Sequence, residues 1–170
     1  SIAELGETGS SFLGSMLISS IQQIAMSNND LKEDKRVPIN LYVDEFQHFS
    51  TESFIRIFSE ARKYRLSLTI AHQYIGQISI PIMNAIMGNI GSIISFRLGQ
   101  RDANYISKEF KPYLSPEDFV QLNSRNFWAK LSVDGTTSQP FRGISNTLEF
   151  PTVNYVREIK SVAKSKYSFL

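Results

Sequence analysis

The sequence predicts an α/β fold in three layers, a mainly parallel sheet with flanking helices and a C-terminal β-hairpin. Three observations predict it. INLYV (39–43) and LSLTIA (66–71) are short apolar runs rich in strand formers, and TESFIRIFSEARKY between them places Phe54, Ile55, Phe58 and Ala61 on one helical face. Strand, helix and strand at this spacing form a crossover unit whose two strands run parallel. Farther on, SIISFRLG reads as a third strand, and NFWAKLSVDGTTSQPFRGI reads as a hairpin reversing at Asp134 and Gly135.

The remaining elements follow in chain order. Between Ser10 and Ser27, Phe12, Leu13, Met16, Leu17, Ile21, Ile24 and Ala25 recur at three- and four-residue steps among Ser and Gln, the pattern of an amphipathic helix. SNNDLKEDKRVP is then an exposed loop ending at Pro38. Ser50 or Thr51 suits the N-cap of the next helix, and Glu52 suits the positive end of its dipole. RDANYISKEFK reads as a helix and SPEDFVQLN as a capped helical turn. From Thr152 onward, Val153, Val156, Ile159 and Val162 share one side of a surface helix whose tail carries Arg157, Lys160, Lys164 and Lys166.

Composition narrows the function classes. With 170 residues, 42% apolar and 12% aromatic, the chain is long and hydrophobic enough to bury a core. Its 18 basic and 16 acidic residues leave a net charge of +2, too little to argue for nucleic acid without local clustering. There are no cysteines and only two histidines, His48 and His72, which excludes disulfide frameworks and disfavours a zinc site. The lack of cysteines leads to the expectation of a cytoplasmic location, and no run approaches the roughly 18 apolar residues of a membrane span, so the chain as given is expected to be soluble.

The chemistry-bearing feature is the junction of the first strand with Asp44 and Glu45. In open parallel sheets ligands bind beyond the carboxyl ends of the strands, and both acids sit at such an end. One acid there can hold a magnesium ion through water, and its neighbour can polarise the water that attacks a terminal phosphate. Four apolar or aromatic residues before Asp-Glu, Ile39, Leu41, Tyr42 and Val43 with Asn40 among them, form a Walker B pattern, against which stands the plainer reading of an acidic strand end. The second strand leads to Gln73, an amide that would reach the same crevice.

Taken together, LYVDEFQHFSTESFIRIFSEARKYRLSLTIAHQYIGQI and GNIGSIISFRLGQRDA resemble the C-terminal half of the motor domain of type IV secretion coupling proteins, the TraD/TraG group in the HerA/FtsK branch of RecA-like P-loop ATPases. The resemblance runs from the helix near Phe12 to the hairpin near Phe141. It implies a partial RecA-like P-loop NTPase core over residues 1–150, followed by a C-terminal helix and basic tail over 151–170. It also implies ATP and Mg2+ as cofactors, with Asp44 near the metal, Glu45 as the catalytic glutamate and Gln73 as the sensor. Arg62 matches an arginine that reaches a neighbouring subunit's nucleotide. The implied partners are DNA, further copies in a homo-hexamer, and relaxosome or secretion-system proteins; the resemblance also leaves room for a parent anchored at the inner membrane by an upstream segment. Lys63, Arg65, Arg97 and Arg101 are the candidate DNA contacts, with Tyr74 and Tyr105 as candidate stacking residues.

One part of the pattern is missing. The phosphate loop should end in Gly-Lys-Ser/Thr, and the nearest string, ELGETGSSFLGS, has Gly6, Thr8, Gly9 and Ser10 but no lysine. The expectation is therefore a fragment that begins after the phosphate loop of an ATPase parent and is inactive alone, with a natural protein that has lost ATPase activity as the alternative. The rival is a non-enzymatic domain that docks relaxosome or secretion-substrate proteins.

Overall fold

Strand β1 (Ile39–Val43) leads through a short 3-10 turn, Phe46–His48, into helix α2 (Ser53–Glu60) and a second 3-10 turn, Ala61–Tyr64, before β2 (Leu66–Ile70). The computed structural model describes residues 6–32, 35–51, 53–148 and 154–167. Glu52 and the start of the C-terminal segment, Thr152 and Val153, lie outside the described residues, as do the proposed boundary at 150/151 and its neighbours. The fold is mixed α/β, with a small parallel sheet and antiparallel sheets.

β1 and β2 pair in parallel from Ile39 against Leu66 to Val43 against Ile70, as the crossover spacing predicts. Their alternation explains the placement. Ile39, Leu41, Val43, Leu66, Leu68 and Ile70 turn toward the core, while Asn40, Tyr42, Ser67 and Thr69 stay exposed. The buried side packs on α2 and on α3 (Ile80–Asn89), whose Ile82, Met83 and Ile86 are buried. Sequence periodicity did not single out α3; its Pro81 occupies the first turn, where a missing N–H costs nothing.

The expectation of a mainly parallel sheet is corrected by the pairing of β3 (Ile93–Ser95). Among the described residues parallel pairing is confined to β1 and β2, and β3 pairs antiparallel with β4 (Asn126–Lys130). The reason lies in the chain between them. After β3 the chain runs through α4 (Gln100–Ile106), a 3-10 turn at Ser107–Phe110 and α5 (Pro116–Val120), then returns alongside β3 in the opposite direction. Ser115 and Asp118 form a capping box on α5, as the SPED string predicts.

The hairpin reading holds. β5 (Ser132–Val133) and β6 (Thr136–Thr137) reverse at Asp134 and Gly135, which both have positive φ, and β7 (Phe141–Ile144) returns along β4. Two buried clusters result. One gathers Phe46, Phe54, Ile57 and Leu66 with α3; the other gathers Ile93, Ala103, Ile106, Phe110 and Phe119. Ile75, Met87, Ile90 and Tyr105 pack against both.

Two helices depart from simple amphipathic packing. Helix α1 (Gly6–Ser27) exists as expected, but it buries Ile18 and Ala25, while Phe12, Met16, Leu17 and Ile24 remain exposed. Helix α6 (Val156–Tyr167) has no buried residue.

Candidate functional site at the carboxyl ends of the parallel strands

The ladder between β1 and β2 continues one step beyond the strands. Ala71 donates its N–H to the Val43 carbonyl and Phe46 donates its N–H to the Ala71 carbonyl, at 2.9 Å each. These bonds hold the Asp44–Phe46 turn beside the Ala71–Gln73 turn. Phe46 anchors the arrangement from below: it is fully buried and meets Phe54 edge-on at 4.8 Å.

Glu45 is the centre of the crevice. Its backbone is left-handed, with φ 49 and ψ 48, a conformation that L side chains other than Gly, Asn and Asp adopt at a cost. The resulting turn aims its carboxylate back across the strand ends. Gln73 Nε2 donates to Oε1 at 2.5 Å and Gln47 Nε2 donates to Oε2 at 2.6 Å. The amide of Gln47 comes first among the causes that hold the Glu45 carboxyl below its ordinary pKa, then that of Gln73; partial burial opposes them, and His48 and His72 add a smaller pull in the same direction. A carboxylate held anionic in this way can accept a hydrogen bond from a water and so orient and polarise it.

Asp44 is exposed, and its Oδ1 accepts the Glu45 N–H at 2.9 Å. Among the described residues its other oxygen has no hydrogen-bond donor, so Asp44 can take a hydrated cation. Among the described residues no group of three or more His, Cys, Asp or Glu is assembled to hold a metal. The arrangement fits magnesium, which keeps several waters and relies on one or two carboxylates plus substrate phosphates. It does not fit a metal held by protein ligands alone.

Two residues that the sequence reading did not assign to the site belong to it. Gln47, two positions past Glu45, supplies the second donor. His72, next to Gln73, is half-buried, and its Nδ1 is buried without a hydrogen-bond partner among the described residues. Burial pushes the His72 imidazole below its ordinary pKa, against the Tyr74 backbone and the charges of Asp102 and Glu45, which raise it. The polar sides of DEFQ and AHQ are a visible signal; which of their members meet depends on the left-handed turn at Glu45.

The basic candidates divide between the two ends of the sheet. Arg62 and Lys63 lie in the 3-10 turn before β2 and Arg65 immediately precedes that strand, so all three stand at the end opposite Asp44 and Glu45. Arg62 therefore does not join the carboxylates within one chain. Arg65 donates to the Arg36 carbonyl at 2.9 Å, and the Lys63 ammonium lies 5.5 Å from the centre of the Tyr64 ring.

At the carboxylate end, Asp102 on α4 accepts the Ile75 N–H at 3.2 Å, and Nη1 of its neighbour Arg101 would lie 3.9 Å from a Cβ built on Gly76. Arg101 thus stands beside the loop that follows Gln73. Arg97 is exposed beyond β3. Tyr74 is exposed and available for stacking, whereas Tyr105 packs into the core.

Comparison with protein-family models finds no match for this chain, and comparison with curated proteins finds none either.

Proposed function

We propose that the chain supplies the carboxylate and sensor part of an ATP-hydrolysing site in a DNA-translocating motor of the type IV secretion coupling kind. The accompanying fold reading is a three-layer, RecA-like core completed by a phosphate-binding loop from the parent polypeptide. One observation carries the proposal: the 2.5 Å bond from Gln73 to Glu45 across the carboxyl ends of two parallel strands. A sensor amide that reads a γ-phosphate and a glutamate that polarises the attacking water need this proximity. Asp44 would hold the hydrated magnesium, which neutralises phosphate charge when bound. Arg62, at the far end of the sheet, would serve a neighbouring copy's nucleotide in a hexameric ring, and Arg101 and Tyr74 are the DNA contacts best placed near the site.

The test uses the complete motor that includes the phosphate loop. Glu45→Gln should leave ATP binding intact and cut turnover by roughly 10²-fold or more, the scale of a lost general base. Arg62→Ala should also slow turnover, and mixing its subunits with Glu45→Gln subunits should raise activity above the weighted mean of the parents. Unchanged turnover in Glu45→Gln would sink the ATPase reading; mixtures that never exceed the mean would remove Arg62 as a trans-acting arginine.

A second reading, a domain that docks relaxosome or secretion-substrate proteins, is favoured by α6, on which Val156, Ile159 and Val162 are all exposed beside Lys160, Lys164 and Lys166. Nucleotide-dependent ring assembly of the complete protein separates the two: the motor requires it and a docking domain does not.

A further inference from the structure

Helix α6 (Val156–Tyr167) closes its first turn with its own neighbours. Asn154 Oδ1 accepts the Val156 N–H at 3.0 Å, and the Tyr155 carbonyl accepts the Ile159 N–H at 2.9 Å. Among the described residues none of its side chains is buried, and none of its cations is in an ion pair. A helix of 12 residues is marginal in water by itself, so a surface that uses its faces would stabilise it.

At about 100° per residue the side chains sort into two faces. Val156, Ile159, Val162, Ala163 and Tyr167 share one arc, and all five are exposed. Arg157, Lys160 and Lys164 occupy the adjoining arc, and Ser161, Ser165 and Glu158 complete the polar side. Tyr155, just before the helix, is exposed as well, so a tyrosine stands at each end of α6. The charge is concentrated on the scale of the whole chain. Four cations against one anion give α6 a net +3, whereas the complete chain carries +2, so the other residues together are slightly acidic.

Each class of partner meets these faces differently. Nucleic-acid phosphates would match the cations and leave the apolar arc in water. A second copy of α6 would cover that arc but bring like charges to the seam, because Lys166 falls within it. A protein groove with an acidic rim would have to bury Lys166 among apolar side chains, at the cost of desolvating an ammonium. A bilayer with anionic headgroups accommodates every group: the aliphatic side chains reach the acyl chains, the tyrosines sit at headgroup level, and Lys166 extends its stem back to the phosphates that the other cations meet. With 12 residues α6 is too short to cross a bilayer, and no helix among the described residues is long and apolar enough to do so, which leaves an orientation in the surface plane.

We propose that α6 is a membrane-surface helix that lies along an anionic phospholipid bilayer, with Val156, Ile159 and Val162 inserted and Arg157, Lys160 and Lys164 on the phosphates. The attachment is reversible, since a short aliphatic stripe and a few cations make a weak anchor that salt screens.

The test uses the 170-residue chain and vesicles of phosphatidylcholine mixed with phosphatidylserine, with vesicles of phosphatidylcholine alone as the control. Cosedimentation should show saturable binding to the anionic vesicles, weakened by about 10-fold or more on the neutral ones and falling as salt is raised. Lys160→Glu combined with Lys164→Glu should weaken binding by about 10-fold or more, and Ile159→Asn combined with Val162→Asn should weaken it as well without any change of charge. None of these four side chains is buried, so both double variants should keep the wild-type urea midpoint. Lipids spin-labelled in the upper acyl chain should broaden the methyl resonances of Val156, Ile159 and Val162 more than the signals of Ser161 and Ser165.

Three results would overturn the proposal. With no saturable binding to anionic vesicles, an acidic protein groove becomes the better partner for the helix. If the double Asn variant binds as tightly as the wild type, the contact is adsorption of charge and nothing inserts. Broadening at Phe12 and Met16 of α1 in place of α6 would assign the lipid contact to another surface. None of these measurements involves ATP turnover, so the membrane-surface helix and the ATPase reading fail separately.

Discussion

Replacing Phe46 with alanine tests whether the crevice is held by the core beneath it. Phe46 is fully buried, and its ring meets Phe54 edge-on at 4.8 Å and Phe58 at 6.0 Å. Losing the transfer of a buried Phe side chain costs about 1.5–3 kcal/mol. The edge-on ring contacts add about 0.5–1.5 kcal/mol beyond area, and Phe54, itself fully buried, leaves little room for collapse. The expected loss is about 3–5 kcal/mol, a large share of the roughly 5–15 kcal/mol by which domains are stable.

Urea unfolding followed by far-UV circular dichroism reads this as a lower midpoint at unchanged slope. Because the Phe46 N–H is bonded to the Ala71 carbonyl, the side-chain amide resonances of Gln73 should shift as well. Phe46→Leu, which keeps most of the volume, should cost less than about 1.5 kcal/mol. A loss below about 1 kcal/mol for Phe46→Ala, or a large loss with the Gln73 amide unmoved, refutes the idea that this ring positions the site.

His72 is predicted to titrate below the ordinary imidazole range by NMR. Since its folded pKa is depressed, its contribution to stability is present above the unfolded value of about 6.5 and is lost as pH falls below it; His72→Gln should flatten that part of the stability profile. Glu45 has the same sign at lower pH: the stability linked to its ionised carboxylate is present above the unfolded glutamate value and is lost on acidification, and Gln73→Ala should raise its pKa as measured by carbon-detected titration. Gly14→Ala should destabilise by about 1–3 kcal/mol in urea unfolding, because a Cβ at Gly14 would overlap the Phe49 ring. Calorimetry of the 170-residue chain with ATP and magnesium should show no micromolar binding, since backbone cradling of phosphate and a reaching lysine are absent from GETGSS.

What the sequence revealed, and what it did not, follows from the range of the interactions. The parallel β1–β2 pair, the hairpin at Asp134–Gly135 and the Ser115 cap each rest on residues close together in the chain or on one crossover unit, and all three are legible. Parallel pairing brings Asp44, Glu45 and Gln73 to one side of the sheet, and the left-handed turn at Glu45 then selects which of them bond. The partner of β3 was not legible: Ile93–Ser95 is too short to reveal whether its neighbour runs with it or against it, and tertiary closure through Phe110 and Phe119 decides. The apolar face of α1 was legible as a pattern but not as burial, since periodicity marks a stripe and cannot say what covers it. Gln47 was missed because its contact with Glu45 requires a left-handed residue, which glutamate rarely supplies.

That left-handed glutamate also sets what substitution can reach at position 45. The backbone there is most comfortable with glycine or asparagine, whereas the hydrogen bonds from Gln47 and Gln73 call for a carboxylate on a two-carbon arm. The two demands favour different residues, so selection for thermal robustness alone should drift toward Gly or Asn and empty the crevice of its charge. If the proposed ATPase reading holds, selection for turnover should return to Glu and accept the less relaxed turn. On that reading, position 45 is a point at which folding and chemistry trade against each other within a single side chain.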